Sequence, residues 1–317
     1  MKLHAGTSNY AVAFEFHDDV VSLDNADSPA AATFYQLKTK KTGNWTLKQI
    51  AYRKSGAKGS KEPSFAGKMF ENVKRFESAV GALFFVSNQA CSDLGDNHGD
   101  YSFSCAKAEK LKEFTDLLSA EDVRFKPDEV GMFNFSYSDL QLGSYDRTIL
   151  ADIAEFVTDQ TGISEANFRS FGLMLNDECR KRSKKLSDVG DFSSLLSSKF
   201  ITRANMTHWL TVFKDQYTRR VEWSDVAPYI PDHVRARSIH AQLEKYETVR
   251  RQRIGVAALK FQNKVREIAL SKVKSSGALL EIIDAALPEV RRIKGQWDPL
   301  ASDEYLEGII VYEYWRS

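Results

Sequence analysis

Residues 14–39 read FEFHDDVVSLDNADSPAAATFYQLKT, and the alternation within this stretch decides the fold. It reads as two adjacent strands. Ala11 to Leu23 is rich in Val and Phe and alternates as a single strand that carries Glu15, Asp18 and Asp19. Ser22 to Pro29 (SLDNADSP) is turn chemistry. Ala32 to Thr39 is the second strand. Strand side chains alternate, so Gln36, Lys38 and Lys40 share one face and Tyr35, Leu37 and Thr39 the other.

Working outward, residues 1–10 leave little room for a leading helix. Thr46 caps a short helix running from Leu47 to Tyr52. Arg53 to Ser64 (RKSGAKGSKEPS) is a basic loop, and Pro63 suits the first turn of a helix reaching about Glu77. Val80 to Ser87 (VGALFFVS) is a buried strand by its unbroken apolar run. The first ninety residues therefore read β-β-α-α-β, a mixed α/β core.

Cys91 to Tyr101 reads as a polar loop, Ala106 to Leu118 as an amphipathic helix and Met132 to Leu140 as a strand. Beyond that the pattern is helical, with segments near 146–161, 164–185, 188–198 and 202–219. A long helical stretch runs from Pro231 to about Ser275, with Ile239, Leu243, Tyr246, Val249 and Ile254 as its seam and Gly255 as a break. Gly277 and Pro288 mark shorter helices. Tyr305 to Trp315 (YLEGIIVYEYW) reads as a closing strand or a docking segment.

The 317 residues allow two domains, or one domain with a helical appendage, and the net charge of +1 conceals basic clusters. Three cysteines without C-x-x-C spacing argue against a disulfide framework and a structural zinc, so a reducing cytoplasm is expected. No apolar run is long enough to span a bilayer, and no signal-peptide segment opens the chain, so no membrane association is expected.

Phosphodiester hydrolysis needs an activated water, stabilisation of developing negative charge and protonation of a leaving oxygen. A carboxylate-bound Mg2+ supplies the first two, and a nearby lysine orients the water. Asp19 stands seventeen residues before Gln36, a separation that suits paired strands. A solvated strand face with cross-strand ion pairs would look similar. Against it, Glu15, Asp18 and Asp19 crowd negative charge onto an apolar strand, and crowded carboxylates call for a cation.

EFHDDVVSLD, FYQLKTKKTGNWTLKQI, SFAGKMFENVKRF and LFFVSN together resemble the double-stranded DNA endonuclease domain of CBASS effectors and of the Lamassu defence system. That domain is a PD-(D/E)xK-type nuclease whose last motif is Gln-x-Lys. The resemblance covers about residues 11–90, and more loosely extends to about 215. It implies a restriction-endonuclease-like mixed-sheet core followed by a mainly helical C-terminal region. The divisions expected are a nuclease core over 1–145, a helical extension over 146–220 and a partner or oligomerisation region over 221–317.

Asp19, Gln36 and Lys38 match the catalytic positions, with Asp19 and Gln36 holding Mg2+ or Mn2+. Asp18 is the rival for the aspartate and Glu15 an additional ligand. A helix before the first core strand is usual in such nucleases, and here almost no chain precedes that strand. CBASS effectors add a large sensor domain for a cyclic oligonucleotide, and residues 220–317 are too few and too helical for one. The Lamassu-type nuclease subunit is therefore favoured. The resemblance implies double-stranded DNA as substrate, an SMC-like ATPase and a small accessory subunit as partners, and a homo-oligomer when active.

Lys40, Lys41, Arg53, Lys54, Lys58 and Lys61 are candidate DNA-phosphate contacts. The basic run that includes Arg250, Arg251, Arg253, Lys260, Lys264, Arg266, Lys272 and Lys274 reads as a solvated helix face, a phosphate contact or a surface for an acidic partner. Trp45 and Trp209 read as core, and Trp297 and Trp315 as anchors for a partner. Two further functional readings are a non-catalytic adaptor built on a decayed nuclease fold and a nucleotide-activated nuclease of the CBASS kind.

Overall fold

The strand expected from Ala11 to Leu23 is a hairpin in the computed structural model, which describes residues 2–6, 8–56, 60–95, 99–138, 143–185, 191–218, 220–252, 256–273 and 278–316. Strand β1 (Ala11–Phe16) turns at His17 into β2 (Asp18–Leu23), with Phe16 opposite Asp18 and Phe14 opposite Val20. Glu15 and His17 have φ of 51° and 61°, in the left-handed region that side-chain-bearing residues rarely adopt. No Gly or Asn advertises this turn, so alternation runs straight through it.

The following loop holds itself together. Asp24 Oδ1 accepts from the Ala30 and Ala31 amides, and Asn25 Oδ1 from those of Asp27 and Ser28. It returns the chain as β3 (Ala32–Lys38), antiparallel to β2. The remaining strands are β4 (Val80–Ser87), β5 (Gly99–Ser102), β6 (Phe133–Tyr137) and β7 (Phe200–Thr202). Among the described residues these form one sheet in the order β5-β6-β4-β3-β2-β1-β7. The β3–β4 and β4–β6 pairs are parallel, and parallel neighbours need crossover connections. Strand β5 falls where a polar loop was expected and β7 where only helix was.

The helices are α1 (Lys2–Ala5), α2 (Leu47–Ala51), α3 (Phe65–Phe76), α4 (Ala108–Glu121), α5 (Tyr145–Thr161), α6 (Phe168–Ser183), α7 (Phe192–Lys199), α8 (Arg203–Thr218), α9 (Trp223–Val226), α10 (His233–Gln252), α11 (Val256–Lys272), α12 (Leu279–Ile293) and α13 (Asp303–Trp315). Helices α2 and α3 connect β3 to β4. Thr46 Oγ1 accepts from Gln49 N at 3.1 Å and Ser64 Oγ from Gly67 N at 2.8 Å. Ser64 is therefore the cap of α3, and Pro63 precedes the helix rather than opening it. Phe34, Phe70, Phe85, Phe114, Phe133 and Phe135 are buried, each worth about 1.5–3 kcal/mol on removal from water. Phe34 stacks on Phe76 of α3 at 5.4 Å, which fixes that helix over β3.

The chain divides into two compact units, Met1–Ala151 with Asp177–Thr207, and Asp152–Asn176 with His208–Ser317. Residues 146–220 are thus shared between them. The mixed-sheet core and the helical C-terminal region expected from the sequence are both present.

In the second unit, Ile239, Leu243 and Tyr246 of the expected seam are buried and Val249 is partly so. Gly255, Ile254 and Gly277 lie outside the described residues. Pro288 sits inside α12 instead of marking a helix end. The tail read as a strand is helix α13. Tyr305, Leu306, Ile309, Ile310, Val311 and Tyr312 are all buried there, and a helix enclosed on every side needs no polar face. Trp297 is core as well, stacked on Phe261 at 5.4 Å, and so is not an exposed anchor.

The basic run is a solvated face only in part: Lys260 and Lys264 are exposed, whereas Arg250, Arg251 and Arg266 are held in ion pairs. Arg250 is buried, and its Nε donates to the buried Glu313 at 2.9 Å. Glu313 also accepts from the Tyr246 hydroxyl at 2.8 Å and from Arg266 at 2.7 Å. Arg251 pairs with Glu247, Lys264 with Glu267 and Lys272 with Glu289. Arg253 and Lys274 lie outside the described residues. No helix among the described residues is long and apolar enough to cross a membrane.

Candidate active site

Strand β3 ends at Lys38, and its parallel neighbour β4 ends beside it at Ser87. Polar groups at the carboxyl ends of parallel strands face a crevice that no strand continues to fill. Antiparallel β2 begins at the same edge. The register pairs Val20 with Tyr35 and Val21 with Phe34, which carries Asp19 opposite Gln36.

Three donors from β3 converge on one carboxylate oxygen. The Gln36 side-chain amide donates to Asp19 Oδ2. The Leu37 backbone N–H reaches the same oxygen at 2.7 Å and the Lys38 ammonium at 3.3 Å. Lys38 Nζ also donates to the Leu37 carbonyl at 2.8 Å. Gln36 is buried, whereas Asp19 and Lys38 retain about a third of their side-chain exposure, at 32% and 29%. The cluster is therefore held from below and open above.

Asp18 is placed differently. One of its oxygens accepts from the Asp19 N–H at 2.9 Å, and the other from Asn72 Nδ2 on α3 at 3.3 Å. Burial pushes its pKa up to about 6. The Asp19 charge adds to that rise, while the Asp19 N–H, Lys38 and Asn72 oppose it. Glu15, His17, Asp18, Asp19, Gln36, Lys68 and Glu71 line one open cleft of about 460 Å3. His17 Nδ1 lies 3.2 Å from Arg75, and burial, then the Arg75 charge, holds its pKa below the ordinary value.

A divalent cation would find hard oxygen donors here. Asp19 offers a carboxylate, and a half-turn of the Gln36 amide exchanges its nitrogen for its oxygen. Among the described residues, no three or more His, Cys, Asp or Glu side chains gather as metal ligands. A cation bound here would therefore rest on one or two carboxylates, an amide oxygen, water and substrate phosphate. That is the ligand set Mg2+ ordinarily accepts, and an ion taking Asp19 Oδ2 would displace donors that now occupy it.

Among the expected DNA contacts, Lys40 is engaged with the Asn44 carbonyl at 2.8 Å and with Gln49 at 3.0 Å, and its ammonium stands 4.3 Å above Trp45. Arg53 spends its guanidinium on the Lys61 and Glu62 carbonyls. Lys41, Lys54 and Lys61 are exposed or partly so, and Lys58 lies outside the described residues. Asn72, Lys68, Glu71 and the Leu37 amide join the cluster and its cleft without having been expected from the sequence. The three side chains had a signal: 68, 71 and 72 fall on one face of an α-helix.

A family model described as the Cap4 dsDNA endonuclease domain matches residues 1–183. No curated protein and no solved structure matches the chain.

Proposed function

Because the chain belongs to the family of Cap4 dsDNA endonuclease domains, we propose that it is a metal-dependent DNA endonuclease of anti-phage defence, with its chemistry at Asp19, Gln36 and Lys38. The observation that carries this reading is the meeting of Gln36, the Leu37 amide and Lys38 on one oxygen of Asp19 at the open end of β3. In this reading Asp19 and Gln36 hold Mg2+, with Mn2+ able to replace it. When bound there, Mg2+ would supply positive charge against that developing on the scissile phosphate. Lys38, fixed between Asp19 and the Leu37 carbonyl, orients the attacking water and adds its own positive charge. Asn72 holds Asp18 at the cleft wall, where it supports the cation through Asp19.

The finer assignment is a PD-(D/E)xK-type nuclease serving a Lamassu-like system in the cytoplasm. An SMC-like ATPase and a small accessory subunit hold it inactive, and release lets it self-associate and cut. It rests on the resemblance of residues 11–90 to the Lamassu-type nuclease domain. The test is cleavage of supercoiled plasmid with Mg2+, with EDTA and with Lys38→Ala. Mg2+-dependent linear product from the wild type and none from the variant is expected. Equal nicking by both removes Lys38 from the chemistry. A second reading, the non-catalytic docking module, draws on the absence of a three-carboxylate cluster among the described residues. Calorimetric titration with Mn2+ separates the two, since a docking module takes up no ion at Asp19.

A further inference from the structure

Next to the acidic cleft lies a groove of opposite character. It has a volume of about 640 Å3 and is lined by Lys38, Thr39, Lys40, Trp45, Lys48, Gln49, Tyr52, Lys54 and Phe65. Lys38 belongs to both features: its ammonium touches Asp19, and its side chain forms the near wall of the groove. Among the residues lining this groove there is no carboxylate, although Glu113 pairs with Lys48 at 2.7 Å, whereas Glu15, Asp18, Asp19 and Glu71 line the cleft.

Lysines alone would suit a phosphate, which offers charge and no apolar face. Three aromatic rings among the lysines suit a ligand that is both flat and anionic. Two of those rings are already engaged. The Lys40 ammonium stands 4.3 Å over Trp45, and those of Lys38 and Lys54 stand 5.7 and 6.0 Å from the centre of Phe65. Trp45 is also buried, with its indole N–H donated to Ser87 Oγ at 2.8 Å. Tyr52 differs, because 55% of it is exposed. It follows Ala51 at the end of α2, a helix pinned by buried Leu47, Ile50 and Ala51 and by the bond from the Leu47 N–H to Asp93 at 2.8 Å. A large ring is thus held out on a rigid mount among cations, and ordered aromatic platforms of this kind stack nucleobases with little loss of freedom.

We propose that the groove is a stacking site for one unpaired nucleobase of the strand that passes Lys38, with Tyr52 as the platform and Lys54 beside its phosphates, Lys48 being paired with Glu113 at 2.7 Å. A base inside a duplex has both faces covered by its neighbours, so only an unstacked base reaches Tyr52. The site then favours DNA that is locally opened next to the scissile phosphate. The proposal rests on the nuclease reading for where that phosphate sits, and not for the binding itself.

The test uses the full chain in EDTA and fluorescence anisotropy, with two labelled probes of equal length and charge: a short oligothymidylate of about five nucleotides and its abasic counterpart. The oligothymidylate should bind about tenfold tighter, as one stacked base predicts. Tyr52→Leu should bring the ratio close to one, while Tyr52→Phe should keep it. Equal affinity of wild type for both probes, no binding of the oligothymidylate, or an undiminished preference in Tyr52→Leu overturns the proposal. Because no cation is present, a protein that shows the preference yet leaves plasmid intact with Mg2+ retains the groove and loses the nuclease reading.

Discussion

Asp19 and Gln36 stand opposite each other one step beyond the last paired residues of β2 and β3, and the Gln36 amide donates into the Asp19 carboxylate. Gln36→Glu puts a second negative charge at that step. Like charges at this distance raise one another's pKa and oppose folding unless a cation intervenes. The variant should melt below wild type in EDTA and recover most of the difference on adding Mn2+, as differential scanning fluorimetry will show. A melting temperature indifferent to Mn2+ would argue that no ion binds there.

Lys38→Ala and Asp19→Asn should each lower plasmid cleavage by roughly 10^2-fold or more, the usual effect of losing a group that acts on the transferred proton or the developing charge. Both positions keep about a third of their side-chain exposure, so far-ultraviolet circular dichroism should be unchanged. Retained cleavage with intact spectra would move the chemistry elsewhere.

Asp122 accepts from the Lys74 ammonium of α3 at 2.8 Å, and this hydrogen bond, ahead of the opposing effect of burial, holds its carboxyl below the ordinary 3.8. A carboxylate with a depressed folded-state pKa stabilises the protein above its unfolded value, and that stabilisation disappears as pH falls through the folded value. Asp122→Asn should therefore be less stable than wild type at neutral pH, with the gap narrowing below pH 3.8. Urea unfolding at a series of pH values measures the gap, and a constant gap refutes the assignment.

Glu313 is fully buried between Arg250, Arg266 and Tyr246. Glu313→Leu strands the Arg250 charge and should cost about 3–5 kcal/mol, whereas pairing it with Arg250→Met should recover much of the loss. Denaturant titration of the two variants checks this. A double variant as unstable as the sum of its singles would show that no coupling exists.

Gly308 of α13 lies against α10. A Cβ there would come to 2.8 Å from Gln242 Cβ and 2.9 Å from its carbonyl carbon. Backbone cannot yield as a flexible side chain does, so Gly308→Ala should destabilise the protein by about 1–3 kcal/mol although alanine favours helix. A variant as stable as wild type in thermal unfolding would contradict this packing.

Much of the candidate site was legible because its residues carry their spacing openly. Gln36 and Lys38 alternate within an apolar strand, and strand alternation is the most direct geometric signal a sequence holds. Thr46 and the apolar run Val80–Ser87 were legible for similar reasons: a capping hydroxyl, and a segment buried on both faces. The hairpin at His17 was not, since its left-handed turn is imposed by pairing and not by a permissive residue. Strands β5 and β7, of four and three residues, are too short to show a period. Helix α13 misled because β-branched and aromatic residues favour strands on a half-exposed surface, a preference that full burial cancels. Arg250 misled because charge is read from the sequence one helix at a time, and its partner Glu313 sits 63 residues away.

Strand β7 flanks β1 and comes from residues 200–202, downstream of the 1–183 segment matched by the family model. On the ribosome the hairpin bearing Asp19 is thus exported early, with its outer border unpaired. At usual elongation speeds the missing neighbour follows after roughly 10–40 s. Throughout that interval the border is open to any other nascent chain that offers a strand. Completion of the sheet beside Asp19 is accordingly timed by codons lying far downstream of those that encode it.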